Sequence, residues 1–367
     1  MLAAAEAWGG VAYRVVKQVP LDLRTEPPTF VCLSHLALLD RGRLVYIGRP
    51  LEQHSTFTVL DLESLEIRNL TVPGIPGMQV PPKGQLAVDK PLFYDTANGV
   101  AGILLRGGGL VSGDAVYMEW DLRANRESRR IELAPGAGAP WTSVEAIGYD
   151  PERRECYVEI IREVPDEQGA RGQLPFHQVA VVGITDRVRT IATIRTKNRY
   201  SSKSPYFDPV HRRSAHVEYV ELGGEQARTG AHIVDLDSGA VTELSLPRVI
   251  YGFAFDPDGT AAYAYSNTTG EVLKVNLGTG VVVRRSGLGR FGHVLDFVAP
   301  DTLVLMRNAR LHFLDSATLK EKWGLNCSAF HQGSPHTEGS IVIPGRILAR
   351  IYYTLYVIDF PGLVETE

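Results

Sequence analysis

Short runs of alternating apolar and polar residues, separated by turn-forming clusters, dominate the chain. Residues 251–283, YGFAFDPDGTAAYAYSNTTGEVLKVNLGTGVVV, contain four such runs and three turns rich in Asp, Asn, Gly and Pro. A period of two is typical of strands, and these turn residues favour tight corners between them. The segment therefore predicts a unit of four short antiparallel strands.

Two turn motifs repeat along the chain at intervals of roughly 40 to 65 residues. The first is an Asp that follows an apolar run, with weaker copies near the C-terminus: Asp40, Asp89, Asp150, Asp208, Asp256, Pro300-Asp301 and Glu338-Gly339. The second is an Asp or Asn that ends an alternating run: Asp61, Asp121, Asp186, Asp235, Asn276, Asp315 and Asp359. The two motifs alternate, which indicates seven copies of one four-stranded unit.

A four-stranded unit cannot bury both of its faces alone, so neighbouring units must stack, and closing the ring leaves only short edges. The sequence therefore predicts an all-β fold, a single seven-bladed β-propeller with four antiparallel strands per blade. No segment shows a sustained period of 3.6 residues, so almost no helix is expected. The Asp-Pro-Asp-Gly-Thr and Asp-Leu-x-Ser/Thr-Gly turns resemble those of the YVTN and quinoprotein-amine-dehydrogenase-like propellers, and this resemblance implies a fold and no activity.

The motifs divide a single β-propeller domain, residues 1–367, into seven blades. The seventh unit runs out of chain before its fourth strand, and the apolar stretch at 11–23 precedes the first unit. We expect residues 11–23 to supply the outer strand of the last blade and so close the ring. The predicted blades span approximately 24–75, 76–137, 138–197, 198–247, 248–288, 289–327 and 328–367.

Composition narrows the class of protein. A net charge of −4 gives no basis for a nucleic-acid or membrane partner held by bulk electrostatics. Three widely spaced Cys, Cys32, Cys156 and Cys327, argue against a disulfide framework. The N-terminal stretch lacks the basic start and apolar core of a signal peptide. We therefore expect a cytoplasmic protein.

Candidate chemistry comes from the residues that begin the innermost strands, at one mouth of the central channel. Counting back five residues from each first turn motif, with a gap choice in blades six and seven, selects a largely polar set: His35, Gly84, Glu145, Lys203, Tyr251, His293 and His331. Blades six, seven and one are neighbours in a closed ring, and each contributes a His. Three converging imidazoles, His35, His293 and His331, are suited to a divalent metal such as Zn, Fe or Mn.

Two functions follow from this placement. In the first, the protein is a small-molecule enzyme of lyase, isomerase, hydrolase or oxygenase type, with the three His as metal ligands or acid–base groups. Glu145 then serves as a base, and Lys203 and Tyr251 as hydrogen-bonding or electrophilic groups. In the second, it is a non-catalytic scaffold that grips a protein partner with the long loops 106–114 and 163–175 on the same face. Solvated channel lining is the simpler explanation of the polar ring.

Overall fold

The structure is a computed structural model of the 367-residue chain. It describes residues 6–8, 11–20, 36–48, 56–72, 86–107, 115–134, 142–164, 176–196, 206–217, 229–246, 250–266, 269–289, 292–307, 310–327, 340–351 and 354–363. Strands account for most of these residues, and the exceptions include two single-turn 3₁₀ helices, Asp40–Gly42 and Pro361–Leu363. The all-β prediction is confirmed.

The first two strands of the chain, β1 (Glu6–Trp8) and β2 (Val11–Pro20), belong to the last blade. Blade one follows with β3 (Ala37–Leu39), β4 (Leu44–Gly48), β5 (Thr56–Asp61) and β6 (Ile67–Thr71). Blade two contains β7 (Leu86–Asp95), β8 (Val100–Gly107), β9 (Ala115–Asp121) and β10 (Arg126–Ala134). Blade three contains β11 (Thr142–Asp150), β12 (Glu155–Val164), β13 (Phe176–Ile184) and β14 (Val188–Thr196).

The remaining blades repeat this order. Blade four contains β15 (Tyr206–Asp208), β16 (Arg213–Val217), β17 (Thr229–Asp235) and β18 (Val241–Leu246). Blade five contains β19 (Ile250–Phe255), β20 (Ala261–Ser266), β21 (Glu271–Asn276) and β22 (Val282–Gly287). Blade six contains β23 (Gly292–Ala299), β24 (Thr302–Arg307), β25 (Arg310–Asp315) and β26 (Glu321–Asn326). Blade seven contains β27 (Ile341–Ile343), β28 (Arg346–Ile351) and β29 (Thr354–Asp359).

The core lies between the blades. Seven hydrophobic clusters are present among the described residues, and each joins two adjacent blades around the ring. The first strands contact one another in order around the ring, from β3 to β7, β11 and onward to β27. First strands therefore line the central axis, and the seven-bladed propeller is confirmed.

The N-terminal strand closes the ring, as the sequence predicts. Strand β2 pairs antiparallel with β29, and its buried Val19 packs with Val45 and Leu60 of blade one. Between the same blades, Arg346 donates from Nη1 to the carbonyl of Leu62 at 2.6 Å. One feature differs from the prediction: β1 adds outside β2, so the last blade has five strands.

Most turn motifs fall where the sequence places them, but two are wrong. Asp89 lies inside β7, and the corner of blade two begins at Asp95, which accepts a hydrogen bond from the amide of Asn98 at 3.0 Å. In the sequence, Pro91 divides the pattern LAVDKPLFYD into two apparent segments, whereas in the structure these residues form one long strand. In blade seven the first corner lies between β27 and β28, after the Glu338-Gly339 pair, which is outside the described residues.

Candidate functional site

Hydrogen-bond register identifies equivalent positions on the innermost strands. Lys90 of β7, Glu145 of β11 and His293 of β23 each lie opposite the fifth residue of the second strand of their own blade. The corresponding residue of blade five is Gly252, because a register shift separates Ile250 from Gly252 and leaves Tyr251 at the irregularity. These positions lie toward the face that carries the starts of the first strands and the connections between second and third strands, here called the mouth face.

The predicted site residues are only partly placed. Glu145 is described in full, whereas for His293 and Tyr251 the structure describes the backbone and not the side chain. His35, Lys203 and His331 lie outside the described residues, as does Gly84. Their convergence on one channel mouth therefore stays a prediction. Gly84 and His331 were selected by counting back from the two corners that are wrong. In blade two, counting back five residues from the observed corner at Asp95 selects Lys90 in place of Gly84.

Lys90 and Glu145 form an ion pair between the first strands of blades two and three. Lys90 Nζ donates to Glu145 Oε2, and Ser143 Oγ donates to Glu145 Oε1 at 3.2 Å. The side chains of Lys90 and Glu145 are 17% and 11% exposed, so water reaches the pair only at its margin. A carboxylate already engaged by an ammonium group and a hydroxyl is poorly prepared to take a proton from a substrate.

A second, fully buried hydrogen-bond chain joins blades three and four. His216 Nδ1 lies 2.7 Å from Glu159 Oε2, and His216 Nε2 lies 2.8 Å from Ser214 Oγ. If Nδ1 carries the proton and donates to the carboxylate, Nε2 accepts from the serine hydroxyl. The order Ser–His–Glu matches the connectivity of a hydrolase triad. However, all three residues are at most 1% exposed, so no substrate can reach the serine in this conformation.

The two interactions meet on blade three. Glu145 of β11 and Glu159 of β12 are directly opposite each other, so their side chains share one face of the sheet. Glu145 is bonded to blade two and Glu159 to blade four. The two hydrogen-bonded groups are thus neighbours through the pair Glu145 and Glu159. They tie three consecutive blades together near the mouth face and are here called the three-blade cluster: Lys90, Glu145, Glu159, His216 and Ser214.

Asp296 is a further acid on an innermost strand. It lies on β23, three residues after His293, and accepts a hydrogen bond from the amide of Phe297 at 2.8 Å. Its carboxylate is open to solvent, but the protein crowded around it displaces much of the bulk water. This desolvation, together with the charge of Asp208, raises the pKa of Asp296 to about 6.

The described residues supply no metal centre. Among them, no group of three or more His, Cys, Asp or Glu side chains is arranged to hold a metal ion. The His residues of the metal hypothesis are His35, His293 and His331, and none of their side chains belongs to the described set. A divalent metal therefore stays a prediction from the sequence.

Sequence reasoning missed most of the three-blade cluster. Lys90 was hidden by the choice of Asp89 as the corner, although the Asp95-Thr96-Ala97-Asn98-Gly99 segment is the stronger turn pattern. Glu159 and His216 occupy strand positions at which buried residues are normally apolar. A charged residue in a strand whose neighbours are apolar on both sides is the pattern that points to such a buried polar pair.

Comparison with known proteins supports the fold. No protein-family model matches the sequence, and no curated protein matches it. A chain of the structure titled "Crystal Structure of Mitotic Checkpoint Complex" superposes with a TM-score of 0.55 and 10% identity, covering 94% of this chain and 91% of that chain. Hsv2 of Kluyveromyces marxianus gives 0.50 and 11%, covering 87% and 90%. At such identities the similarity concerns the fold alone.

Membrane insertion through helices finds no support in the described part of the chain. None of the helices there has the length and hydropathy needed to cross a bilayer.

Proposed function

We propose that the protein is a non-catalytic scaffold that binds a protein partner on its mouth face. The observation that carries this proposal is the ion pair between Lys90 and Glu145. Of the predicted acid–base residues, Glu145 is the one whose side chain is described, and Lys90 already binds its carboxylate. The pair also holds the innermost strands β7 and β11 together. In this position Glu145 contributes to the rigidity of the ring rather than to proton transfer.

A rigid ring suits a binding platform. Buried polar networks whose members are all bonded hold neighbouring elements in one arrangement. The three-blade cluster ties blades two, three and four. The sequence predicts the long loops 106–114 and 163–175 on the mouth face, and their stretches between the strands, 108–114 and 165–175, lie outside the described residues. Loops held by a rigid frame are the usual place for recognition residues. The similar chain in the structure titled "Crystal Structure of Mitotic Checkpoint Complex" is, by that title, part of a protein complex.

The test replaces residues 108–114 and 165–175 with Gly-Ser segments of the same lengths. Full-length protein carrying a small affinity tag is purified, and partners present in stoichiometric amounts are identified and then mixed with wild-type and loop-replaced protein. We expect the replacement to abolish binding while the thermal unfolding midpoint stays unchanged. A partner that binds both proteins equally well would show that the mouth face is not the binding surface.

A second candidate function is the small-molecule enzyme. Two features favour it: His293 shares its register position with Lys90 and Glu145, and on the same strand desolvation raises the pKa of Asp296 to about 6. His293 would then act with His35 and His331 on a divalent metal, with Lys203 and Tyr251 nearby. Elemental analysis of untagged protein distinguishes the two functions. Stoichiometric metal that is lost in His293→Ala favours the enzyme, and its absence from the wild type contradicts the metal site.

A further inference from the structure

The outer strand of blade five has an unusual surface. Val281, directly before β22, and Val283 within it are 56% and 55% exposed, and the adjacent Arg284 and Arg285 are also exposed. Residues 281–287 are here called the blade-5 rim. Among the described residues, strand β22 pairs with β21 alone, so the other side of its backbone has no strand beside it there. The rim therefore presents unpaired backbone groups beside apolar and cationic side chains.

The two arginines are not neutralised within the described structure. Neither guanidinium has a hydrogen bond or an ion pair there. Several basic residues on other outer strands do have carboxylate partners: Arg68 pairs with Asp61, Arg129 with Glu119, Arg130 with Glu127 and Lys322 with Asp301. Among the described outer strands, β22 alone carries two adjacent arginines without such a partner. In a chain with a net charge of −4, this is a local positive patch against the overall sign.

The rim combines two features with opposite effects on strand pairing. Charged residues on an edge strand commonly prevent unwanted pairing, but exposed valines on the same strand have the opposite effect. The protein itself shows that strands can be added at the rim, because β1 covers the edge of β2 in blade seven. In blade five the equivalent place outside the last strand is uncovered among the described residues.

We propose that the blade-5 rim binds an extended acidic segment of another protein, which adds as a strand beside β22. Backbone hydrogen bonds would supply affinity, as in other cases of strand addition, and side chains would supply specificity. Carboxylates of the segment pair with Arg284 and Arg285, and small apolar side chains cover Val281 and Val283. A second copy of this chain fits poorly, because pairing β22 with β22 would bring four arginines together. This surface lies on the rim and is independent of the mouth face.

A labelled peptide tests the proposal directly. Arg284 and Arg285 are adjacent in β22, so their side chains lie on opposite faces of the strand. The probe is therefore a fluorescein-labelled nonapeptide of consecutive Glu residues with Val at both ends, and the control peptides carry Gln in place of Glu or Pro at the centre. We expect the acidic peptide to bind in low salt, to be displaced by added salt, and to protect the amides of residues 282–287 from hydrogen exchange. Both control peptides should bind more weakly, because one lacks the charge and the other cannot complete a strand.

Charge reversal locates the site. The double variant Arg284→Glu/Arg285→Glu should weaken binding by about tenfold or more, since charge-assisted hydrogen bonds are lost and repulsion is gained. Arg195→Glu is the matched control, because Arg195 is an exposed arginine on the outer strand β14 of blade three. It should bind as the wild type does. Both variants change surface residues only, and equal unfolding midpoints would confirm that they fold.

Several results would overturn the proposal. These are no binding up to about 1 mM peptide, equal binding by the charge-reversed double variant, or exchange protection away from residues 282–287. Binding to vesicles containing phosphatidylserine that depends on Arg284 and Arg285, without peptide binding, would identify a membrane surface instead. The variant with Gly-Ser loops should bind the peptide normally, so a failure of the mouth-face scaffold and a failure of the rim site can be told apart.

Discussion

At the scale of single residues, blade three is organised around two glutamates. Glu145 and Glu159 are directly opposite across β11 and β12, where like charges repel. Each is bonded to a different neighbouring blade, Glu145 to Lys90 and Glu159 to His216. Repulsion between the two glutamates would destabilise blade three alone. Their partners on blades two and four relieve it, so the same charges stabilise the assembly of the three blades.

Replacing His216 with leucine tests the buried part of this network. The Glu159 carboxylate would be left without its partner in a site that is 1% exposed. We expect the free energy of unfolding to fall by about 3–5 kcal/mol, because an unpaired buried charge is costly. Urea unfolding at pH 7, followed by tryptophan fluorescence, measures the change.

The matched variant is Glu159→Leu/His216→Leu. Apolar side chains in place of a whole buried pair are often tolerated. The double variant should therefore be more stable than His216→Leu alone, and the coupling free energy between the two sites should be large. If the double variant instead loses the sum of the two single losses, the pair does not act as a unit.

Glu145 could be located from the sequence and Lys90 could not, for a physical reason. Glu145 stands five residues before the well-formed corner at Asp150, whose carboxylate accepts bonds from the amides of Glu152 and Arg153. Lys90 stands at the same distance before Asp95, but Pro91 interrupts the apparent strand between them. Strand β7 accommodates the proline at a register shift between Pro91 and Phe93, which no periodicity rule anticipates.

At the scale of elements, the carboxylates of the turns determine the corners. Asp61, Asp121, Asp150 and Asp235 each accept hydrogen bonds from the amides two and three residues later. This contact is local in sequence, so the alternation of turn motifs was sufficient to predict the fold. Contacts between blades are distant in sequence, which is why the register of side chains around the channel could not be predicted equally well.

Asp235 offers a test of the turn. Hydrogen bonds from the amide and hydroxyl of Ser238, both 2.7 Å long, hold the pKa of Asp235 below its usual value. We expect Asp235→Ala to lower the free energy of unfolding by about 1 kcal/mol. Asp235→Asn should lose less, because the amide oxygen still accepts both bonds.

The pH dependence of this effect has a defined sign. A pKa that is lower in the folded protein than in the unfolded chain stabilises the fold above the unfolded pKa, and the benefit is lost as the pH falls through the folded value. The stability difference between wild type and Asp235→Asn should therefore shrink below about pH 4. Urea unfolding curves between neutral and acidic pH measure it, and a difference that grows in acid would contradict this account.

At the scale of the whole molecule, the ring depends on a contact between the two ends of the chain. Strand β2 contributes buried Tyr13 to the cluster between blades six and seven and buried Val19 to the cluster between blades seven and one. It also covers the edge of β29, where Arg14 lies 3.8 Å from Asp359. One strand thus serves two inter-blade contacts, and its loss should weaken both together.

Deleting residues 1–20 should therefore destabilise the entire propeller and not blade seven alone. Exposing the surfaces that Tyr13 and Val19 cover costs about 1.5–3 kcal/mol for each residue, before the loss of the strand pairing is counted. Domains of this kind have only about 5–15 kcal/mol of stability in total. We expect a large fall in the thermal midpoint and exposure of apolar surface to a hydrophobic dye.

Deleting residues 1–10 is the matched control, because it removes β1 and leaves β2 in place, and it should have a much smaller effect. A peptide of residues 11–20 added in trans should partly restore the midpoint of the longer deletion. If both deletions unfold at the same temperature, the ring does not depend on its closing strand.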